Sequence, residues 1–157
     1  MILSDIGMIA VHSSRSKAYI QLLVKNDLSP SFVIIMGKQE GVVRPGQLTC
    51  NTTNRISNTE KQNTTFLDNN QFFDKDVPLT ETLSKANIPY EICTNTDINS
   101  DEVLTRLKRR EETYFIYSGI GGAILREKVL SIGKKFIHMH SGRVPLYRGS
   151  TTIYYSI

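Results

Sequence analysis

Two short, uninterrupted apolar runs, Phe32-Val33-Ile34-Ile35-Met36 and Tyr114-Phe115-Ile116-Tyr117, constrain this chain more than any other feature. Each has the length of a strand and neither alternates with polar residues. Both faces of each strand must therefore be covered, which is the condition of a parallel sheet sandwiched between helices. A third apolar segment spans residues 6–12 and ends at His12. After it come Ser13, Ser14 and Ser16, whose hydroxyls suit a helix N-terminus, and then Ala18, Ile20, Leu22, Leu23 and Leu28 at near-helical spacing. The spacing predicts a helix stopped by Ser29-Pro30-Ser31, and so a β-α-β unit.

The pattern breaks over residues 38–76. Between positions 51 and 70 stand six Asn and five Thr with few apolar residues, a composition that builds no packed face. It reads as a polar surface excursion, with Phe66, Leu67, Phe72 and Phe73 as tethers. Regularity resumes at Pro78, where Leu79, Leu83 and Ala86 predict a short helix with Thr80 as its cap. A strand is expected at residues 90–93. The next helix is capped by Asn99 or Ser100 and turns Val103, Leu104 and Leu107 inward. Lys108-Arg109-Arg110 falls in its last turn, where cations oppose the helix dipole, and reads as a solvated helix end. A helix over residues 124–132 with Ile124, Leu125, Val129 and Leu130 on its core face follows, then an apolar strand start at Phe136-Ile137. The order predicts one doubly wound α/β domain over residues 1–157, with a mostly parallel sheet and right-handed crossovers.

Composition narrows the function classes. The 157 residues, 39% hydrophobic and 22% charged, suit a single globular domain and exclude a coiled coil or a wholly disordered chain. Nineteen Lys and Arg against fifteen Asp and Glu give a net charge of +4 without a basic tail. This charge permits an anionic ligand but marks no nucleic-acid-binding stripe. Cys50 and Cys93 form no metal-ligand spacing and read as free thiols in a reducing compartment. The N-terminus lacks a basic leader region, and no apolar stretch reaches the ~18 residues of a membrane span, so the chain reads as cytoplasmic.

Ligands of such sheets bind beyond the carboxyl ends of the strands, and two loops stand out there. Ser118-Gly119-Ile120-Gly121-Gly122 lets a backbone approach a ligand closely but does not complete a dinucleotide fingerprint, and a plain tight turn explains it equally well. The second loop, His138-Met139-His140-Ser141-Gly142-Arg143-Val144-Pro145-Leu146-Tyr147-Arg148-Gly149, holds two of the three histidines. His138 and His140 share one face if the strand continues through them. Imidazole suits proton transfer near neutral pH, and no third metal ligand stands nearby. His12, at the end of the first strand, faces the same crevice or is a satisfied structural residue.

The segment HMHSGRVPLYRG resembles the signature of the 10-formyltetrahydrofolate-dependent formyltransferases, in which Asn-x-His precedes a short loop, Leu-Pro and often Tyr-Arg-Gly. GGAILREKVLSIG before it is similar to that family's strand-loop-helix at the folate pocket. The likeness covers residues 114–157, while the N-terminal part matches in architecture only. It implies a Rossmann-like formyltransferase fold, incomplete at the C-terminus, that transfers a formyl group from 10-formyltetrahydrofolate to a primary amine. His140 takes the position of the family's catalytic histidine. His138 takes that of its usual asparagine, an exchange of a non-titrating donor for a titrating one. Gly122, Ala123, Ile124 and Leu125 match the pterin-site loop, and Ser141 and Gly142 with Pro145 match the loop beside the histidine. The family's aspartate has no counterpart in the seventeen residues after His140, so impaired transfer is expected of this chain. A small amine such as an amino sugar is favoured as acceptor over aminoacyl-tRNA, and an exposed sheet edge offers a homodimer contact. The alternative is a non-catalytic folate- or nucleotide-binding module.

Overall fold

The computed structural model describes residues 2–38 and 73–140; residues 39–72, most of the polar excursion with Phe66, Leu67 and Phe72, and residues 141–157 lie outside them. In chain order the elements are β1 (Ile2–Val11), α1 (Ser14–Lys25), β2 (Ser29–Met36), α2 (Leu79–Lys85), β3 (Tyr90–Cys93), α3 (Asp101–Arg109), β4 (Tyr114–Ser118), α4 (Glu127–Leu130) and β5 (Lys135–Ile137). The strands form one five-stranded sheet in the order β3-β2-β1-β4-β5, every pair parallel. This is an α/β fold of Rossmann-like topology. No helix among the described residues is long and apolar enough to cross a membrane.

The apolar runs are uninterrupted because helices cover both faces of the sheet. Alternate residues of a strand point to opposite faces. Ile9, Val11, Ile34 and Met36 pack with Val103, Leu104 and Leu107 of α3, whereas Met8, Ala10, Val33 and Ile35 pack with Ile20 of α1 and Leu79 and Leu83 of α2. At ~25 cal/mol per Å² of apolar surface, each fully buried Ile or Leu here contributes about 2 kcal/mol.

Helix ends follow local chemistry more closely than the sequence reading did. α1 closes before Ser29-Pro30 rather than at it: Asp27 takes a left-handed φ of 57°, Leu28 N donates to Leu23 O and Asp27 N to Val24 O. α2 ends the same way, with Asn87 at φ 54° and Ile88 N on Leu83 O. In both Schellman turns an apolar residue follows the left-handed one, as the motif favours. Freed from the stop, Pro30 enters β2 opposite Leu3, next to the register shift between Leu3 and Gly7. Its missing N–H is tolerated at the start of a strand.

Thr80 is not the α2 cap. Pro78 holds that position without a side-chain hydrogen bond, and Thr80 lies inside the helix. Ser100, one of two candidates, caps α3 by accepting from Val103 N. The expected helix over residues 124–132 shrinks to the single turn Glu127–Leu130, in which only Val129 is buried. Asn99 accepts from Arg126 N at 2.8 Å, and Arg126 itself is extended. Gln21 of α1 exchanges two hydrogen bonds with the Asp74 backbone, and Lys17 Nζ donates to Lys75 O, so the end of the excursion is tied to α1.

At the amino ends of the strands lies a buried charge. Glu112, 4% exposed, accepts from Ser31 Oγ at 2.7 Å and from Arg110 Nε and Nη2 at 3.0 and 2.8 Å. The Arg110 guanidinium also stacks 3.7 Å over the Phe32 ring. Arg110 is thus a structural partner, while its neighbours Lys108 and Arg109 are exposed, as a solvated helix end requires. Burial pushes the Glu112 carboxyl up, but the hydrogen bonds from Arg110 and Ser31 outweigh it and hold the group at about 2, below its ordinary 4.5. A carboxylate depressed in the folded state stabilises the fold above its unfolded value and loses that stabilisation as pH falls through the folded one. Glu112→Gln is therefore expected to flatten the loss of stability between pH 4.5 and about 2. Glu112→Ala, which strands Arg110, should cost about 3 kcal/mol at neutral pH. Urea unfolding across pH measures both.

Candidate functional site

The sheet order reverses direction between β1 and β4. From β1 the chain winds outward through β2 to β3, then α3 carries it across to β4 on the other side of β1. The loops leaving β1 and β4 part there, and a crevice opens above the carboxyl ends. Two buried hydroxyls brace its floor: Ser16 Oγ donates to Ser118 O at 3.0 Å and lies 2.9 Å from Ser118 Oγ, while Val11 N donates to Ser16 Oγ. Ser13 caps α1 by accepting from Ser16 N at 3.2 Å. The helix start is thereby fixed to the end of β4.

Above this floor is a cavity of about 590 Å³, within the range of small-molecule sites. Gly122, Ala123, Leu125, His138 and His140, all nominated from sequence, line it together. Ile124 does not. Asn99 Nδ2 binds its carbonyl at 3.0 Å, and its side chain stands 78% exposed outside the cavity. Ser141 and Gly142 lie outside the described residues. Ile120 and Met139, which stand in the two loops singled out from sequence, line it as well, and so do Arg15, Tyr19, Tyr117 and Phe136, to which sequence reasoning gave no role in a site. Arg15 could have been found, as a cation in the first turn of a helix at a strand's carboxyl end. Tyr117 was taken only as part of an apolar strand.

β5 ends at Ile137, so strand alternation does not bring the two histidines together. They nonetheless face one cavity, with ring centroids 6.3 Å apart. His138 Nδ1 lies 3.2 Å from Tyr117 O. A carbonyl oxygen only accepts, so Nδ1 carries the proton and, in the neutral ring, Nε2 keeps its lone pair. Neutral His138 is thus a proton acceptor and donates from Nε2 only once protonated. Both ring nitrogens of His12 are shielded from solvent and have no partner among the described residues, which departs from a satisfied structural residue.

Tyr117 is packed against the loop that follows it. A Cβ placed on Gly119 would lie 2.3 Å from the Tyr117 hydroxyl and ring, so only glycine allows this approach. Burial pushes the Tyr117 phenol above its ordinary value of 10.0, with Arg15 opposing and Asp97 adding to the shift, and the group stays a neutral donor. The β3–α3 loop near the same end is ordered by Glu102, whose carboxylate accepts from Thr94 Oγ1, Thr94 N and Asn95 N and is held at about 2 chiefly by Thr94. Cys93 is buried and burial raises its thiol to about 11, so it offers no thiolate. Among the described residues no group of three His, Cys, Asp or Glu side chains is placed to hold a metal.

Comparison with protein-family models and with curated proteins gives no match to this chain. The fold class and the cavity define it: a parallel Rossmann-like α/β domain with a histidine-bearing crevice at the point where the winding reverses.

Two outcomes follow. Gly119→Ala should displace Tyr117 and lower stability by about 1–3 kcal/mol, read by thermal unfolding. Long-range ¹H–¹⁵N spectra of the neutral His138 ring should show the Nδ1–H tautomer; the Nε2–H tautomer would refute the hydrogen bond to Tyr117 O.

Proposed function

We propose that this is a formyltransferase-like domain for transfer of a formyl group from 10-formyltetrahydrofolate to a small primary amine, with impaired turnover in this chain. The observation that carries the reading is convergence: five residues that the family resemblance nominates independently, Gly122, Ala123, Leu125, His138 and His140, share one cavity at the switch point. Ile120, Leu125 and Phe136 give that cavity an apolar wall suited to a flat ring, and Gly121 and Gly122 present backbone to open space. The bound donor supplies a formyl carbon open to attack by an amine. On this reading the amine nitrogen would bond the formyl carbon while His138 Nε2 accepts the amine proton, which an asparagine in its place could not do, and His140 stabilises charge developing on the formyl oxygen. The bond from that carbon to the folate nitrogen would then break, with His138 returning the proton to the departing nitrogen. Ile124 has no part in the pocket. An amino sugar or similar amine fits the mild, dispersed charge better than aminoacyl-tRNA does. Action in the reducing cytoplasm, and self-association through β5 at the sheet edge, belong to the same proposal.

The test is a titration with 5-formyltetrahydrofolate, following the His138 and His140 ring signals by NMR, together with a turnover assay on 10-formyltetrahydrofolate and a panel of amino sugars. Saturable shifts of both rings are expected, with turnover reduced on the order of 10²-fold or more in His140→Ala. Unchanged rings at saturation refute the site. Folate binding without turnover moves the reading to a non-catalytic folate-binding module, and affinity for NAD or ATP in place of folate moves it to a nucleotide-binding one.

A further inference from the structure

The cavity carries hydrogen-bond donors for which the described residues supply no acceptor. Arg15, in the first turn of α1, and Tyr117, on β4, both line it and both converge on Gly119. Arg15 Nη2 donates to the Gly119 carbonyl, and the Tyr117 hydroxyl lies where a Gly119 Cβ would stand. Among the described residues Arg15 Nε and Tyr117 Oη are both shielded from solvent without a hydrogen-bond partner; Arg106 Nε is too, but its guanidinium is paired with Glu91 and Glu102. Tyr117 is only 6% exposed. Among the described residues no carboxylate pairs with Arg15, although the other guanidiniums that carry buried or half-buried charge, Arg106 and Arg110, both have one.

A guanidinium only donates, and a buried phenol that keeps its proton is here a second donor without an acceptor. Leaving either unsatisfied costs free energy, and the cost is higher for a charged group. The amino end of α1 adds positive potential at the same place. What is missing is an oxygen acceptor with negative charge, which suits a guanidinium better than a water molecule does.

We propose that Arg15 and Tyr117 form an oxyanion-binding pole of the cavity, where Arg15 Nε–H and the Tyr117 hydroxyl hold a phosphate or carboxylate group carried by the amine substrate. The assignment to the amine rests on the formyl-transfer reading; the anion site itself does not. An amine with an anionic group would be anchored at this pole while its nitrogen reaches the histidines across the same cavity. Specificity would then follow from the distance between amine and anion, and uncharged amines would be poor substrates.

The full 157-residue chain is titrated with methyl phosphate and, separately, with acetate at constant ionic strength and without folate. The Arg15 Nε–Hε cross-peak, assigned by its loss in Arg15→Lys, reports binding at the guanidinium itself. A saturable shift with either probe is expected, and which one binds more tightly identifies the oxyanion. Tyr117→Phe should weaken binding by on the order of tenfold, and Arg15→Met by more, since it removes a charge-assisted hydrogen bond. Amide spectra confirm the fold of each variant. If Arg15→Met does not fold, Arg15→Lys retains the charge without Nε and should bind more weakly than the parent. No shift with either probe, or affinity unchanged in Tyr117→Phe and the Arg15 variants, overturns the anion site. A folate titration that fails while the anion titration succeeds removes the formyl-transfer reading and leaves the pole standing.

Discussion

The buried contact between Ser16 and Ser118 is the joint on which the rest depends. Parallel strands need long crossovers, and a sheet wound outward in both directions has one place where neighbouring loops leave in opposite senses. Here that place lies between β1 and β4, and nothing in the backbone ladder alone sets how far apart the loops stand. Ser16 sets it, by accepting from Val11 N and donating to Ser118 O. Both serines are fully buried, so each hydroxyl must find a partner and the pairing is directional where apolar packing would not be. The cavity walls hang from this joint: Arg15 precedes Ser16, and Gly119 follows Ser118.

The two ends of the sheet treat polar groups in opposite ways. At the amino ends Glu112 is satisfied by Arg110 and Ser31, and the network closes on itself. At the carboxyl ends Arg15 Nε, Tyr117 Oη and both His12 nitrogens are shielded and find no partner among the described residues. An unpaired buried donor removes stability, and Arg15 differs from Arg106, whose Nε is also unpaired, in having no carboxylate among the described residues. The asymmetry sets a network closed on itself at one end against unpaired donors at the other, where His138 and His140 line the same cavity as Arg15 and Tyr117.

Much of the fold was legible in the residues. The runs 32–36 and 114–117 marked two strands of a sheet covered on both faces, and the pair Asn99 and Ser100 marked the start of α3, with Ser100 the one that caps it. Local signals misled where a tertiary contact competed with them. The apolar spacing of residues 124–132 is helical, yet the Asn99 side chain takes the Ile124 carbonyl and the Arg126 amide, and all but one turn of helix is lost. Pro30 looked like a stop but became strand, because the chain had already turned at Asp27.

Half of the candidate site could be read directly, since His138, His140 and the glycines of the loop after β4 carry recognisable chemistry in a recognisable order. The other half could not. Arg15 and Tyr117 are separated by about a hundred positions, and nothing local distinguishes Tyr117 from any aromatic residue in a buried strand. By itself the sequence determined that the sheet is mostly parallel, that helices cover both its faces and that two imidazoles stand close behind the strand begun at Phe136, because apolar periodicity and capping are properties of neighbouring residues. Only the tertiary structure decided that Nε2 of His138 is the free lone pair, that Ile124 turns outward, and that a guanidinium and a phenol meet at Gly119 without an acceptor. Those are facts about distance and desolvation, and they exist only once distant segments have packed.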